Sequence, residues 1–99
     1  MTQLMKQSEG QALLQGDIDF DSVVALRNEG LALLDQQTRL TVDCSAVGRA
    51  GSAAAALFIA WLRYAKSQQK DFQLVNMPPH LQRVLKVSGL GDLIAQAAA

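Results

Sequence analysis

The chain has 99 residues, with nine basic and nine acidic side chains, one histidine and one cysteine. This length fits one domain with a single core, residues 1–99, and the balanced charge, with no basic stripe or basic–aromatic interleaving, argues against a nucleic-acid partner. The lone Cys44 permits no internal disulfide and fits a reducing compartment; the start MTQLMKQSEG lacks the pattern of a secretory leader, and the longest apolar run, Ala53–Leu62, is about half a membrane span.

Gln11–Gln15 and Ile18–Phe20 flank Gly16-Asp17 and read as two short strands joined by a hairpin turn. Asp21 or Ser22 is expected to cap a helix reaching about Leu34, with Val23, Leu26, Leu31 and Leu34 among its apolar positions. Gly30 within it costs roughly 1 kcal/mol relative to alanine. After a loop at Gln36-Gln37-Thr38, Leu40-Thr41-Val42 alternates as a buried strand ending at Asp43. Small residues from Ala46 to Gly51 read as a turn. The Ala-rich run that follows is a helix over about Ser52–Gln68, with Ser52 as its N-cap. Phe72-Gln73-Leu74-Val75 is another strand, broken by Asn76-Met77-Pro78-Pro79. Two short helices close the chain, His80–Lys86 and Asp92–Ala98, the second capped by Asp92. Strands alternating with helices indicate an α/β sandwich with a mixed sheet, antiparallel at the start and then built by right-handed crossovers.

No catalytic set emerges. Gly48-x-x-Gly51-Ser52 superficially resembles a phosphate cradle, but a P-loop needs four residues between its glycines and a lysine before the Ser/Thr. His80 and Cys44 have no partners at metal-ligand spacing, so neither a metal nor a cofactor is expected. Asp17, Asp19, Asp21 and Asp43 lie near turns and caps, where aspartate is favoured for backbone reasons. The long helix is more informative. At 100° per residue, Ala54, Phe58, Trp61, Leu62 and Ala65 share a bulky apolar side, the core face. Opposite stand Ser52, Ala56, Ile59 and Arg63, with Ala60 and Ser67 at the flank. Single exposed alanines and isoleucines are ordinary; a face kept small and flat for a partner would look the same.

Leu14-Gln15-Gly16-Asp17-Ile18-Asp19 resembles the opening "G-x-L-D" segment of STAS domains, the anti-sigma-factor-antagonist fold. Val42-Asp43-Cys44-Ser45-Ala46-Val47 is similar to the family's "D-L-S-x-V" strand, and Gly51-Ser52-Ala53-Ala54-Ala55-Ala56-Leu57 to its "D-S/T-S/G-G-L-x-x-L" helix start. Phe72–Asn76 and the terminal helices follow at nearly constant spacing. The resemblance implies a STAS-like domain with a mixed four- to five-stranded sheet and about four helices. The bare single-domain form and the Gly-Asp-Ile-Asp start look most like the MlaB-type branch of the family.

For that branch the resemblance implies a non-enzymatic accessory subunit of an ABC-type phospholipid transporter that serves outer-membrane lipid asymmetry. Its partner would be the cytoplasmic ATPase, of the MlaF type, and through it the membrane permease. The chain itself would be soluble and cytoplasmic, peripheral to the inner membrane, with no membrane insertion. Ser52, Ala56, Ile59 and Arg63 would form the partner-binding face. In the antagonist branch the Ser52 position is phosphorylated by an anti-sigma kinase, which makes an anti-sigma-factor antagonist regulated at Ser52 the alternative. The family's acidic residue before that serine is replaced here by Gly51, a departure that weighs against the kinase switch more than against docking.

Overall fold

The computed structural model describes residues 2–89. Within them lie β1 (Gln3–Ser8), β2 (Gln11–Ile18), α1 (Val23–Gln36), β3 (Arg39–Ala50), α2 (Ser52–Ser67), β4 (Asp71–Val75) and α3 (Pro79–Val87). The sheet runs in the order β1-β2-β3-β4. β1 and β2 are antiparallel, and β2–β3 and β3–β4 are parallel. This is the expected α/β fold with a mixed sheet, here of four strands and three helices among the described residues. The second terminal helix, Asp92–Ala98, lies outside the described residues.

The core comes from strict alternation in the strands and from one face of each helix. Ala12, Leu14, Leu40, Val42, Cys44 and Leu74 point inward and are buried, as are Leu26 and Leu34 of α1 and Leu81 and Leu85 of α3. Phe58 and Trp61 of α2 are fully buried at the centre. Their ring centroids are 5.9 Å apart, and Phe72 meets Trp61 edge-on at 6.1 Å, both within the range of favourable aromatic contacts. The indole N–H of Trp61 donates to the Arg27 carbonyl at 3.3 Å. A Cβ on Gly30 would lie 2.1 Å from that indole nitrogen. The glycine that weakens α1 is therefore what lets the tryptophan pass.

Three expectations are corrected. The hairpin at Gly16-Asp17 does not form: β2 runs unbroken through both residues, and the turn lies at Glu9-Gly10, with Gly10 at φ 75°. β1, which pairs there, was not foreseen. The strand of Leu40–Val42 does not stop at Asp43 but continues to Ala50, so the small residues after Ala46 belong to β3. Two register shifts against β2 explain why they look like a turn: between the paired positions β3 holds one more residue than β2 each time. Each bulge flips the inward parity, so Val47 is buried where Cys44 was. Asp17 stands opposite the second bulge, and its carboxylate accepts from the Arg49 N–H at 2.7 Å. Finally, Ser52 is not the N-cap. Gly51 takes that position in extended backbone, no side chain caps α2, and Ser52 is its first residue. At α1, Ser22 takes the N-cap position, as one of the two expected residues, with no side-chain capping bond to the helix; its N–H donates to the Asp19 carboxylate at 2.9 Å, and its Oγ accepts from the Asp19 N–H at 3.1 Å.

Candidate functional site

The C-terminal ends of the parallel strands converge on one end of the molecule. Ile18 pairs with Ala50, so the β2–α1 loop and the start of α2 are neighbours there. α3 joins them through His80, whose ring nitrogen Nε2 is hydrogen-bonded to the Gly48 carbonyl. A shallow depression of about 420 Å³ results, lined by Gly51, Ser52, His80, Arg83, Val84 and Val87. Ser52 is exposed at its edge, with its hydroxyl unused in capping.

From Ser52 the outward side of α2 carries Ala56 and Arg63, both exposed, and Ile59, half-buried. Ala60 is half-buried and Ser67 exposed at the flank. On the opposite side Ala54, Phe58, Trp61 and Ala65 are buried as expected, but Leu62 is only half-buried and is corrected from core to flank. Ala53, Ala55 and Leu57 are buried too, because α2 meets the sheet, α1 and α3 on successive sides. In its first two turns only Ser52 and Ala56 reach solvent, a narrower stripe than periodicity alone implies.

Sequence reasoning missed part of this end of the molecule. Phe20 is 74% exposed in the β2–α1 loop rather than in a strand, and Val87 is 90% exposed beside Ser52. The signal for Phe20 was available: an aromatic between two aspartates, just past an alternating run, has no room in a core. Nothing in the one-dimensional pattern brings His80 and Arg83 to Ser52.

The chemistry of the remaining candidates follows from their surroundings. Gly48 is held inside β3, with its Cα against the Asp17 carboxylate, so a Cβ there would lie 2.3 Å from Oδ1. A carboxylate at that spot repels a phosphate, which explains why Gly48-x-x-Gly51-Ser52 is not a cradle. Burial pushes the Cys44 thiol up to about 12, assisted by neighbouring Asp43, so it is protonated and unreactive near neutrality. The Asp43 carboxyl is held below its ordinary value chiefly by the Ser45 backbone N–H at 2.9 Å, and Asp19 likewise by that of Ser22. These carboxylates are occupied with the backbone. No group of three His, Cys, Asp or Glu side chains that could hold a metal occurs among the described residues. No helix among them is long and apolar enough to cross a membrane.

Comparison with known proteins agrees with this fold. A relative from Bacillus subtilis (strain 168), the anti-sigma-B factor antagonist, is 28% identical over 92 residues, spanning 91% of this chain and 84% of its own. Among solved structures, the anti-sigma factor antagonist SpoIIAA in its unphosphorylated form superposes with a TM-score of 0.74 at 20% identity, covering 94% of this chain and 84% of that one. An anti-sigma factor antagonist from Mycobacterium paratuberculosis gives 0.70 at 24% identity, covering 93% and 80%. At these identities the two structures speak for the fold. The family model described as "Mlab, STAS domain" matches residues 2–95, and the chain belongs to that STAS family.

Proposed function

We propose that residues 1–99 form one STAS domain acting as a non-enzymatic accessory subunit, which binds the cytoplasmic ATPase of an ABC-type phospholipid transporter and supports its assembly or activity. In this reading the chain is peripheral to the inner membrane, held there by the ATPase and permease. The observation that carries it is the outward stripe of α2. Ser52 and Ala56 leave a small, flat, uncharged surface at the helix start, followed by Ile59 and Arg63. Small side chains there would let a partner approach the helix closely, Arg63 is of the type enriched at interfaces, and the MlaB description of the matching family supports the transporter over other clients.

Ala56→Glu tests this reading. Ala56 is exposed, so the substitution should move stability by less than about 1 kcal/mol. In a docked complex it buries an unpaired charge and should cost several kcal/mol of binding, on the order of 2–5. The ATPase and permease should co-purify with the parent chain and not with the variant. Undiminished recovery with Ala56→Glu would remove the stripe as the docking surface.

A second reading, an anti-sigma-factor antagonist switched by phosphorylation of Ser52, is favoured by two observations. The Ser52 hydroxyl is exposed and unused in capping, and the Bacillus subtilis relative carries the antagonist name. Gly51, in place of the acidic neighbour, weighs against it.

A further inference from the structure

We propose that the exposed ridge of Phe20 and Val24, at the entry to α1, docks an amphipathic helix of a partner protein whose apolar stripe is edged with lysine or arginine. Three features of the chain converge on that occupant.

The first is the ridge itself. Phe20 is 74% exposed and Val24 58%. The Val23 N–H donates to the Asp19 carbonyl at 3.0 Å and the Leu26 N–H to that of Ser22 at 3.1 Å, so the chain winds into α1 from Asp19 onward. Phe20 therefore precedes Val24 by about one helical turn, and the two stand on one side. A lone exposed valine is ordinary. An exposed phenylalanine one turn away from it makes an apolar strip, with an aromatic of the type that anchors interfaces. The four-residue step along the strip is the spacing at which helices meet apolar partners.

The second is charge. Beside the ridge lies a depression of about 420 Å³, whose lining includes Asp17, Asp19, Asp21, Ala25 and Glu29. Asp21, Ala25 and Glu29 follow at four-residue steps in the row next to Phe20 and Val24, about 100° round the helix. A lysine or arginine side chain is long enough to lie on the ridge and set its charge in that row. None of the four carboxylates has a lysine or arginine within ion-pair distance among the described residues. Asp17 and Asp19 accept backbone N–H groups at 2.7 and 2.9 Å, which hold them in place without cancelling their charge. Arg27 is two residues on from Ala25, almost opposite it on the helix, and does not fill the depression. The local surplus is negative, on a chain whose overall charge is zero.

The third is what the surface excludes. A two-fold contact with a second copy would set the same four carboxylates against their own equivalents. Phosphate-bearing surfaces, lipid or nucleic acid, are repelled. Residues 90–99 of this chain, LGDLIAQAAA, offer apolar side chains but no lysine or arginine, and they add Asp92. A cationic amphipathic helix answers both the ridge and the acidic row. The inference does not depend on the transporter reading.

The test uses the full-length chain and a fluorescein-labelled peptide of leucine and lysine, about fourteen residues long, with its leucines on the helical repeat. Fluorescence anisotropy should show saturable binding that weakens about ten-fold in Phe20→Ser and in Glu29→Lys. Both positions are exposed, so circular dichroism should find the fold intact. Hydroxyl radicals should oxidise Phe20 readily in the free chain and far less in the complex. Ala56→Glu should bind the peptide as the parent does, which separates this outcome from the fate of the α2 stripe. No saturable binding, equal binding of a leucine–glutamate peptide, indifference to Phe20→Ser, or an equal loss in Ala56→Glu would overturn the proposal. Protection of Phe20 in the free chain would assign the ridge to the chain's own residues and overturn it. So would self-association that the peptide cannot displace, or binding to phosphatidylglycerol vesicles that Phe20→Ser abolishes.

Discussion

At Gly30 two demands on one residue conflict, and packing decides. In an exposed helix, glycine to alanine gains about 1 kcal/mol from backbone entropy and solvation. Here the added methyl would meet Trp61, a side chain that is fully buried, wedged between Phe58 and Phe72, and tied to the Arg27 carbonyl. Such a side chain cannot swing aside, and overpacking of this kind costs roughly 1–3 kcal/mol or more. Gly30→Ala should therefore lower Tm. In a Trp61→Phe background, which removes the indole nitrogen, the same substitution should be tolerated better than additivity allows. Thermal melts of the four proteins in that cycle measure the coupling. A Gly30→Ala protein more stable than its parent would mean that α1 and α2 do not cross at this glycine.

At the scale of elements, legibility tracked the regularity of the pattern. α1 and α2 were placed to within two residues at most ends because their apolar positions keep the 3.6 period over three or more turns, and β4 because it alternates cleanly. β3 was cut short because its second half loses the two-residue period at two bulges, and glycine with small residues mimics a turn wherever a strand does this. Gly16-Asp17 misled for the same reason. Gly16 takes φ 97° not to reverse the chain but where β2 meets the bulge of β3 between Val47 and Ala50. What pins that bulge is the Asp17 carboxylate on the Arg49 N–H, together with the missing side chain at Gly48. Removing a charged acceptor from such a bond should cost about 1.5–3 kcal/mol before screening, and the lower half of that range fits this exposed position. Asp17→Ala should thus be destabilising in chemical denaturation, whereas Asp17→Asn, which keeps an acceptor oxygen, should retain most of the stability. If both fall equally, it is the charge at Asp17 that matters and not the latch.

For the whole molecule, the parallel strands deliver the β2–α1, β3–α2 and β4–α3 connections to one end, and this makes a site from residues that lie far apart in the chain. Ser52, Ala56, Ile59 and Arg63 were readable because they lie on one helix. His80, Arg83 and Val87 were not, because only the fold brings α3 to the start of α2. The same geometry sharpens the role of Ser52. As the first residue of α2 rather than its cap, it carries no helix-capping bond, so Ser52→Ala should change stability by less than about 0.5 kcal/mol. Ser52→Asp adds a negative charge at a helix N-terminus, where it is worth about 0.3–1 kcal/mol, so the fold should be unharmed or slightly stabilised. Any change in partner binding by these two variants is then a surface effect. Under docking on the transporter ATPase, Ser52→Ala weakens the complex modestly and Ser52→Asp more, because the charge is buried without a partner. Under a phospho-switch, Ser52→Ala is locked in the partner-binding form and Ser52→Asp in the released form. Protein from its own cells would then contain a fraction heavier by about 80 Da, one phosphoryl group. With Gly51 in place of the acidic neighbour, intact mass spectrometry should find no such fraction, and the ATPase should bind in the order parent, Ser52→Ala, Ser52→Asp. A phosphorylated fraction that rises and falls with growth conditions would replace the transporter reading with the signalling one.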